Sequence, residues 1–179
     1  MSTLQIKKDL IAMREIWRKI PDYGCYWSSP DNSRGLKLTP TIKPGKVSVE
    51  MVIDREHSGI PGIAHGGIAF TIIDGLMGWY IMSHEGRAGF TTQATTQYKG
   101  PLKVGKNYSF EVILDPNAPT DKQGMISLLG QVFNAGEAEA TRRSLVEIRA
   151  QFILPNLGLA KKVLGIELNE AFKEWFPET

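Results

Sequence analysis

A single cysteine, Cys25, is all that the 179 residues contain, so no disulfide can form within the chain and a reducing compartment suits it. Neither sign of charge is in excess. With 21 Lys and Arg against 19 Asp and Glu, the net charge is +2, and bulk charge points to neither nucleic acid nor a membrane surface. The chain opens Met1-Ser2-Thr3-Leu4-Gln5-Ile6-Lys7-Lys8, without the apolar core of a secretory signal, and a cytoplasmic protein is expected. Ile63 to Met82 has the length of a membrane span, but His65, Asp74 and four glycines inside it argue against that use. There is no Gly-x-Ser-x-Gly elbow, no dinucleotide fingerprint and no Walker loop. The three histidines, His57, His65 and His84, stand far apart without cysteines or clustered carboxylates, so no metal site is expected. Repeats, low-complexity tracts and linkers are also missing, and the length suits one domain over 1–179 with a substantial core.

What the chain does have is centred on Gly59-Ile60-Pro61-Gly62-Ile63-Ala64-His65-Gly66-Gly67. This glycine-rich stretch leads directly into Ile68-Ala69-Phe70-Thr71-Ile72-Ile73-Asp74-Gly75-Leu76-Met77-Gly78-Trp79-Tyr80-Ile81-Met82. A helix apolar on nearly every side is a buried helix. Asp74 in its middle must then be paired, be protonated or line a cleft, because an unpaired buried charge is costly. At helical spacing Gly67, Thr71, Asp74 and Gly78 share one stripe. The helix start adds free N–H groups and the positive end of the dipole, and Gly66 and Gly67 let a carbonyl oxygen approach without meeting a Cβ. One stripe thus offers an oxyanion site at its start and a carboxylate about two turns along.

The flanking segments read as an α+β domain. Leu4, Leu10, Ile11, Met13, Ile16 and Trp17 predict an amphipathic helix over 1–20, ended by Pro21. Asp22 to Gly35 reads as loop. Strands are predicted at Leu36–Ile42 and Val47–Ile53, with Pro44-Gly45 turning between them. Others are expected at Phe90–Tyr98, Asn107–Leu114, Met125–Phe133 and Leu145–Leu154, the last two joined through Asn134 to Arg143. The threonine-rich Phe90–Tyr98 segment favours β structure yet is polar on both faces, so it is not a pure core strand. Leu159, Val163, Leu164, Leu168, Phe172 and Trp175 predict a closing helix over 158–176.

His65-Gly66-Gly67 with Asp74 nine positions after the histidine (74 − 65) resembles the hot-dog-fold acyl-CoA thioesterases of the phenylacetyl-CoA thioesterase (PaaI-like) type. The segment from Cys25 to Leu38 resembles the Cys-x-x-Cys-Gly-x-Asp-Asn-Pro-x-Gly-Leu run that many of these enzymes carry, with Ser28 in place of the second cysteine. Thr91-Thr92 and Tyr98-Lys99-Gly100-Pro101 resemble the family's Thr-rich strand ending in Tyr-x-x-Pro. The resemblance covers about Cys25 to Pro155.

It implies an antiparallel sheet wrapped round one long central helix, with extra helices at both termini. It implies hydrolysis of a thioester to a carboxylic acid and free coenzyme A, with no metal or redox cofactor and with coenzyme A present only as part of the substrate. Asp74 would be the nucleophile or the general base, Gly66 the oxyanion donor, and Thr91 the residue positioning water or the carboxylate, with Thr92 in competition if the register shifts by one. Gly67 would help bind substrate. His65 would cap the helix, orient the loop or take part in proton transfer. Gly59 stands where some members place Asn or Gln. Lys99, Lys103, Arg142 and Arg143 are candidates to meet coenzyme A phosphates. The Phe90–Tyr98 strand would pair with its twin in a homodimer or a dimer of dimers. Two rivals remain: an acyl-CoA-binding protein that does not cut, for which Asp74 has no use, and a hot-dog dehydratase or hydratase, whose His-containing signature is absent.

Overall fold

The computed structural model describes residues 5–20, 22–118, 124–165, 168 and 170–178. Leu4 and Pro21, which the sequence places in and after the first helix, lie outside the described residues. That helix is α1, Leu10–Arg18, shorter than the predicted 1–20 because Asp9 caps it: the Asp9 carboxylate accepts the Ala12 N–H at 2.8 Å. Met13 and Ile16 are its buried residues, and Trp17 stacks on Trp175, 5.8 Å between ring centroids.

Only a short piece of the first predicted strand forms. β1 is Thr41–Lys43, not Leu36–Ile42. Upstream, Lys37 takes φ 53°, and the Leu36 and Leu38 N–H groups donate to Tyr26 and Trp27 carbonyls in the loop, leaving no ladder to join. β2 is Lys46–Val52; the β1–β2 turn runs through Pro44 and Gly45, with Gly45 at φ 73° where a side chain would be strained. A 3-10 turn at Arg55–His57 and a small hairpin, β3 Ser58–Ile60 with β4 Ile63–Ala64, then lead to the central helix α2, Gly66–Tyr80. A π-helical turn, Ile81–Glu85, extends α2 until Gly86 stops it at φ 66°. Buried His84 ties this end down, stacking on Tyr80 and accepting the Gly45 N–H at 3.1 Å.

Four strands complete the sheet: β5 Phe90–Tyr98, β6 Asn107–Leu114, β7 Met125–Asn134 and β8 Val146–Ile153. Their order is β1-β2-β6-β7-β8-β5, all neighbours antiparallel. The strands alternate inward apolar and outward polar residues, and the inward set (Val49, Phe110, Val112, Leu128, Val132, Ile148, Phe152) closes on Ile72, Ile73, Leu76 and Met77 of α2. Beyond the sheet, the predicted 158–176 helix is broken in two. α3, Leu157–Leu164, begins at an Asn156 cap and ends where Gly165 takes φ 64°; α4 is Glu170–Lys173. Among the described residues, no helix is long and apolar enough to cross a membrane.

Among the described residues β5 is an edge strand, paired only to β8, and its residues are exposed or half-buried. It carries a bulge at its start. Thr91 pairs with Phe152 and Gln93 with Gln151, so Thr92 is an extra residue in β5.

Candidate functional site

α2 is buried on most sides, and its partly open side is the predicted stripe. Gly67, Thr71, Asp74 and Gly78 are all half-buried, whereas Ile72, Ile73, Leu76 and Met77 are fully enclosed. At Gly78 nothing among the described residues stands within 4 Å of where a Cβ would project, so the stripe is open one turn beyond Asp74. Thr71 turns its hydroxyl back onto the Gly67 carbonyl at 2.9 Å, which removes its polarity from the stripe. Asp74 remains as the one ionisable group of the stripe.

Thr91 donates to Asp74 Oδ1 at 2.8 Å. The bulge makes this contact possible. Ala94, Thr96 and Tyr98 face the helix, since their partners Ala150, Ile148 and Val146 are buried on that side. Strict alternation from Ala94 would place Thr92 towards α2 and turn Thr91 outward. The extra residue reverses this: Thr91 sits opposite buried Phe152, while the Thr92 hydroxyl donates to the Gln151 carbonyl at 3.0 Å. Thr91 therefore reaches Asp74, and Thr92 is spent on the sheet.

The helix start holds one surprise. His65 is the N-cap, and its Nδ1 accepts the Gly67 N–H at 3.0 Å. That tautomer leaves the proton on Nε2. Gly67 therefore cannot serve as a second oxyanion donor, contrary to the expectation of two free amides there. No hydrogen bond occupies the Gly66 N–H among the described residues. Gly66 is also where Tyr98 arrives: a Cβ on Gly66 would stand 3.0 Å from both Cζ and the hydroxyl oxygen of Tyr98. The sequence marked Tyr98 only as part of a turn motif. Its signal was the alternation of β5, legible once the helix-facing side was known.

The cations divide in the same way. Lys99 donates to Glu147 at 2.8 Å. Arg142 grips Glu111 with both nitrogens, at 2.5 and 2.7 Å, and lies over the Phe133 ring at 3.9 Å. Burial pushes the Glu111 carboxyl up, but the Arg142 hydrogen bonds and the Lys46 charge outweigh it and hold the group below its ordinary value. Neither Lys99 nor Arg142 is idle. Arg143 and Lys103 are exposed and have no ion pair among the described residues.

Ser28 takes up the position of the family's second cysteine with a hydroxyl pair, 2.9 Å from the Tyr23 oxygen. Burial raises the Cys25 thiol, yet hydrogen bonds from Ser28 and Tyr23 outweigh it and keep the group below its usual range. A cavity of about 840 Å3 lies nearby, between α1, the loop through Asn32 and Trp79 of α2. Asp74 and Gly66 do not line it.

No family model matches the chain. A stretch of 65 residues, 36% of the chain, is 32% identical to acyl-coenzyme A thioesterase 13 of Homo sapiens and of Pongo abelii; it spans 46% of those proteins, about half the length of the curated relatives it matches. Among solved structures, zebrafish thioesterase superfamily member 2 superposes with a TM-score of 0.61 at 22% identity, over 83% of this chain and 99% of that one. A Streptococcus mutans protein solved with bound acetyl-CoA superposes with a TM-score of 0.55 at 19% identity, over 65% of this chain and 87% of that one. A six-stranded antiparallel sheet curled round one buried helix, with 99% of the zebrafish structure superposing on it, gives this chain the hot-dog fold.

Proposed function

We propose that the protein is an acyl-CoA thioesterase, cutting a thioester into a carboxylic acid and free coenzyme A. The observation that carries this reading is the Asp74 carboxylate, held by Thr91 on the one open stripe of an otherwise buried helix. A protein that merely bound an anionic acyl-CoA would gain nothing from a carboxylate there. With Thr91 on one oxygen, the other is left to take a proton from water or to attack the thioester carbonyl itself. In either role the carbonyl oxygen gains charge as the tetrahedral intermediate forms, and the Gly66 N–H at the helix start is placed to receive it. The C–S bond then breaks: in the base route the proton taken from water goes to the departing thiolate, and in the nucleophilic route the thiolate takes its proton from solvent and water then cleaves the acyl–Asp74 anhydride to release the acid. The reaction runs on side chains and backbone, with coenzyme A entering as part of the substrate.

One helix cannot do all of this. Gly66 and Asp74 are eight residues apart (74 − 66), about 12 Å of helical rise. A single thioester cannot touch both. The exposed edge strand β5 supplies the remedy, because long bare edges invite pairing. Antiparallel pairing of β5 with a second copy about its middle sets the Tyr98 end of one strand beside the Thr91 end of the other. Each site then takes its oxyanion donor from one chain and its carboxylate from the partner. Two such dimers would make a dimer of dimers. Exposed Arg143 and Lys103 are the cations left to meet the coenzyme A phosphates. A free Cys25 thiol suits a cytoplasmic enzyme.

The test is thiol release over a panel of aromatic and short-to-long aliphatic acyl-CoAs, with acyl carrier protein thioesters as the alternative carrier, beside light scattering. Release of free thiol by a dimer or larger species is expected. A folded chain that binds acyl-CoA without releasing thiol is a binding protein instead. Full turnover by a stable monomer would remove the shared site.

A further inference from the structure

β5 touches the central helix at two functional places, and Thr91 accounts for only one. The other is Tyr98. Its partner in the ladder is buried Val146, so it faces α2 rather than the outer surface. Its ring rests on the first residue of the helix: Cζ, the hydroxyl oxygen and Cε1 stand 3.0, 3.0 and 3.1 Å from where a Gly66 Cβ would be. Most real Cβ contacts are longer, so a side chain at position 66 would push the Tyr98 ring back by a few tenths of an ångström. The residue is nonetheless 57% exposed, unusual for a large aromatic facing inward, and no hydrogen bond occupies its hydroxyl among the described residues. A phenol hydroxyl without a hydrogen bond among the described residues is therefore parked beside Gly66, the residue whose N–H opens the helix and is not taken by His65.

We propose that the Tyr98 hydroxyl is the second donor to the thioester oxygen, acting beside the Gly66 N–H of the same chain. The inference rests on the thioesterase reading. An oxyanion held by one amide is held weakly, and His65 has removed the Gly67 amide that would have been the other. A neutral phenol donates without changing charge. The carbonyl carbon accepts the attacking oxygen, the carbonyl oxygen becomes the oxyanion, and it accepts one hydrogen bond from Gly66 N–H and one from Tyr98 O–H. Neither proton is transferred. When the C–S bond breaks the carbonyl re-forms, and both donors return to their resting state. Tyr98 would thus be a catalytic residue of one shared site, while Thr91 at the other end of the same strand holds its own chain's Asp74 for the second site.

Tyr98→Phe keeps the ring on Gly66 and removes only the oxygen. Its kcat is expected to fall roughly 10²-fold, the scale of one lost oxyanion donor, with KM within a few-fold and an unchanged melting temperature. Binding provides the second arm, using two inert analogues of the best substrate. In the ketone, CH2 replaces sulfur and the carbonyl stays; in the thioether, the carbonyl is gone. Wild-type protein should prefer the ketone, and Tyr98→Phe should lose most of that preference while binding the thioether as before. A merely structural tyrosine would weaken both ligands alike. If the wild type turns over and Tyr98→Phe matches it, the tyrosine is not a donor and the thioesterase reading stands. If the wild type cleaves no thioester in the panel, the thioesterase reading falls. The ketone-to-thioether ratio then decides Tyr98 alone: an equal ratio in wild type and variant overturns it.

Discussion

The two flanks of the central helix differ by one residue in sequence and by everything in packing. On one side, a Cβ on Gly75 would stand 2.1 Å from Cδ1 of Trp27, whose indole N–H is anchored to the Ile72 carbonyl at 2.9 Å. On the other, Asp74 and Gly78 border a groove where a Cβ on Gly78 would meet nothing within 4 Å. Glycine serves opposite ends at the two positions. At Gly75 it admits a neighbour that seals the core; at Gly78 it keeps a space unfilled. The closed flank buys rigidity for the open one, since a carboxylate positions substrate only if its helix cannot shift.

The sharpest way to break this contrast is chemical. Asp74→Asn keeps the shape and a Thr91 contact but removes the anion, so kcat should drop by ~10²–10⁴-fold. Acyl-CoA affinity should hold or tighten slightly as a negative charge leaves. Turnover, melting temperature and Kd measured together decide it, and unchanged turnover in a folded mutant would end Asp74's candidacy. On the closed flank, Gly75→Ala must displace Trp27 and its hydrogen bond. The helix propensity gained by alanine is smaller than the strain, and a net loss of about 1–3 kcal/mol is expected, the usual cost of overpacking a core. Chemical denaturation would show it as a lower midpoint.

Acid should weaken the ion pairs on the outer face of the sheet. Burial raises Glu111, and Arg142 and Lys46 more than reverse it; the Lys99 hydrogen bond lowers Glu147, and Arg149 lowers Asp115 against its burial. Each folded-state carboxyl thus sits below its unfolded value. Their stabilisation is complete above the ordinary 4.5 of Glu111 and Glu147 and is lost as pH falls through the lower folded values. Glu111→Gln should melt below wild type at pH 7, with the gap closing as pH drops below about 4.5. A gap constant with pH would mean the carboxylate's charge is irrelevant.

Gly78→Ala is the counterpart of Gly75→Ala and should have the opposite sign, raising stability by about 0.5–1 kcal/mol because alanine is the better helix former and nothing resists its methyl group. Destabilisation there would show that the groove is not open. The smallest effect belongs to Arg143→Ala. If this exposed cation meets the coenzyme A phosphates as proposed, its loss should raise KM a few-fold with kcat intact, and high salt should erase the difference through screening. A KM indifferent to both changes would remove Arg143 from the site.

Much of this was readable in the residues because its cause is local. The run from Ile68 to Met82 is apolar all round, so it had to be the buried helix, and His65 before two glycines had to be near its start. Asp74 stood out as the single carboxylate in that run. Strand position followed alternation where one face is buried, as in Asn107–Leu114, and threonine's β preference in Phe90–Tyr98. The misplaced elements failed for reasons that alternation does not encode. Leu36 to Leu38 look like strand but hydrogen-bond to a loop that is distant in pattern, and the closing helix broke at Gly165, where one left-handed residue outweighs a continuing apolar period.

The sequence by itself determined the helix, its stripe and its carboxylate, because burial of an apolar run and the 3.6-residue period depend only on neighbours along the chain. Tertiary structure alone decided which threonine serves Asp74, because an extra residue in β5 is defined only against the ladder of β8. It also decided that His65 takes the Gly67 amide and that Tyr98 covers Gly66, contacts set by geometry in space. Spacing told where the groups lie along the chain. Only the pairing of strand on helix told which of them meet.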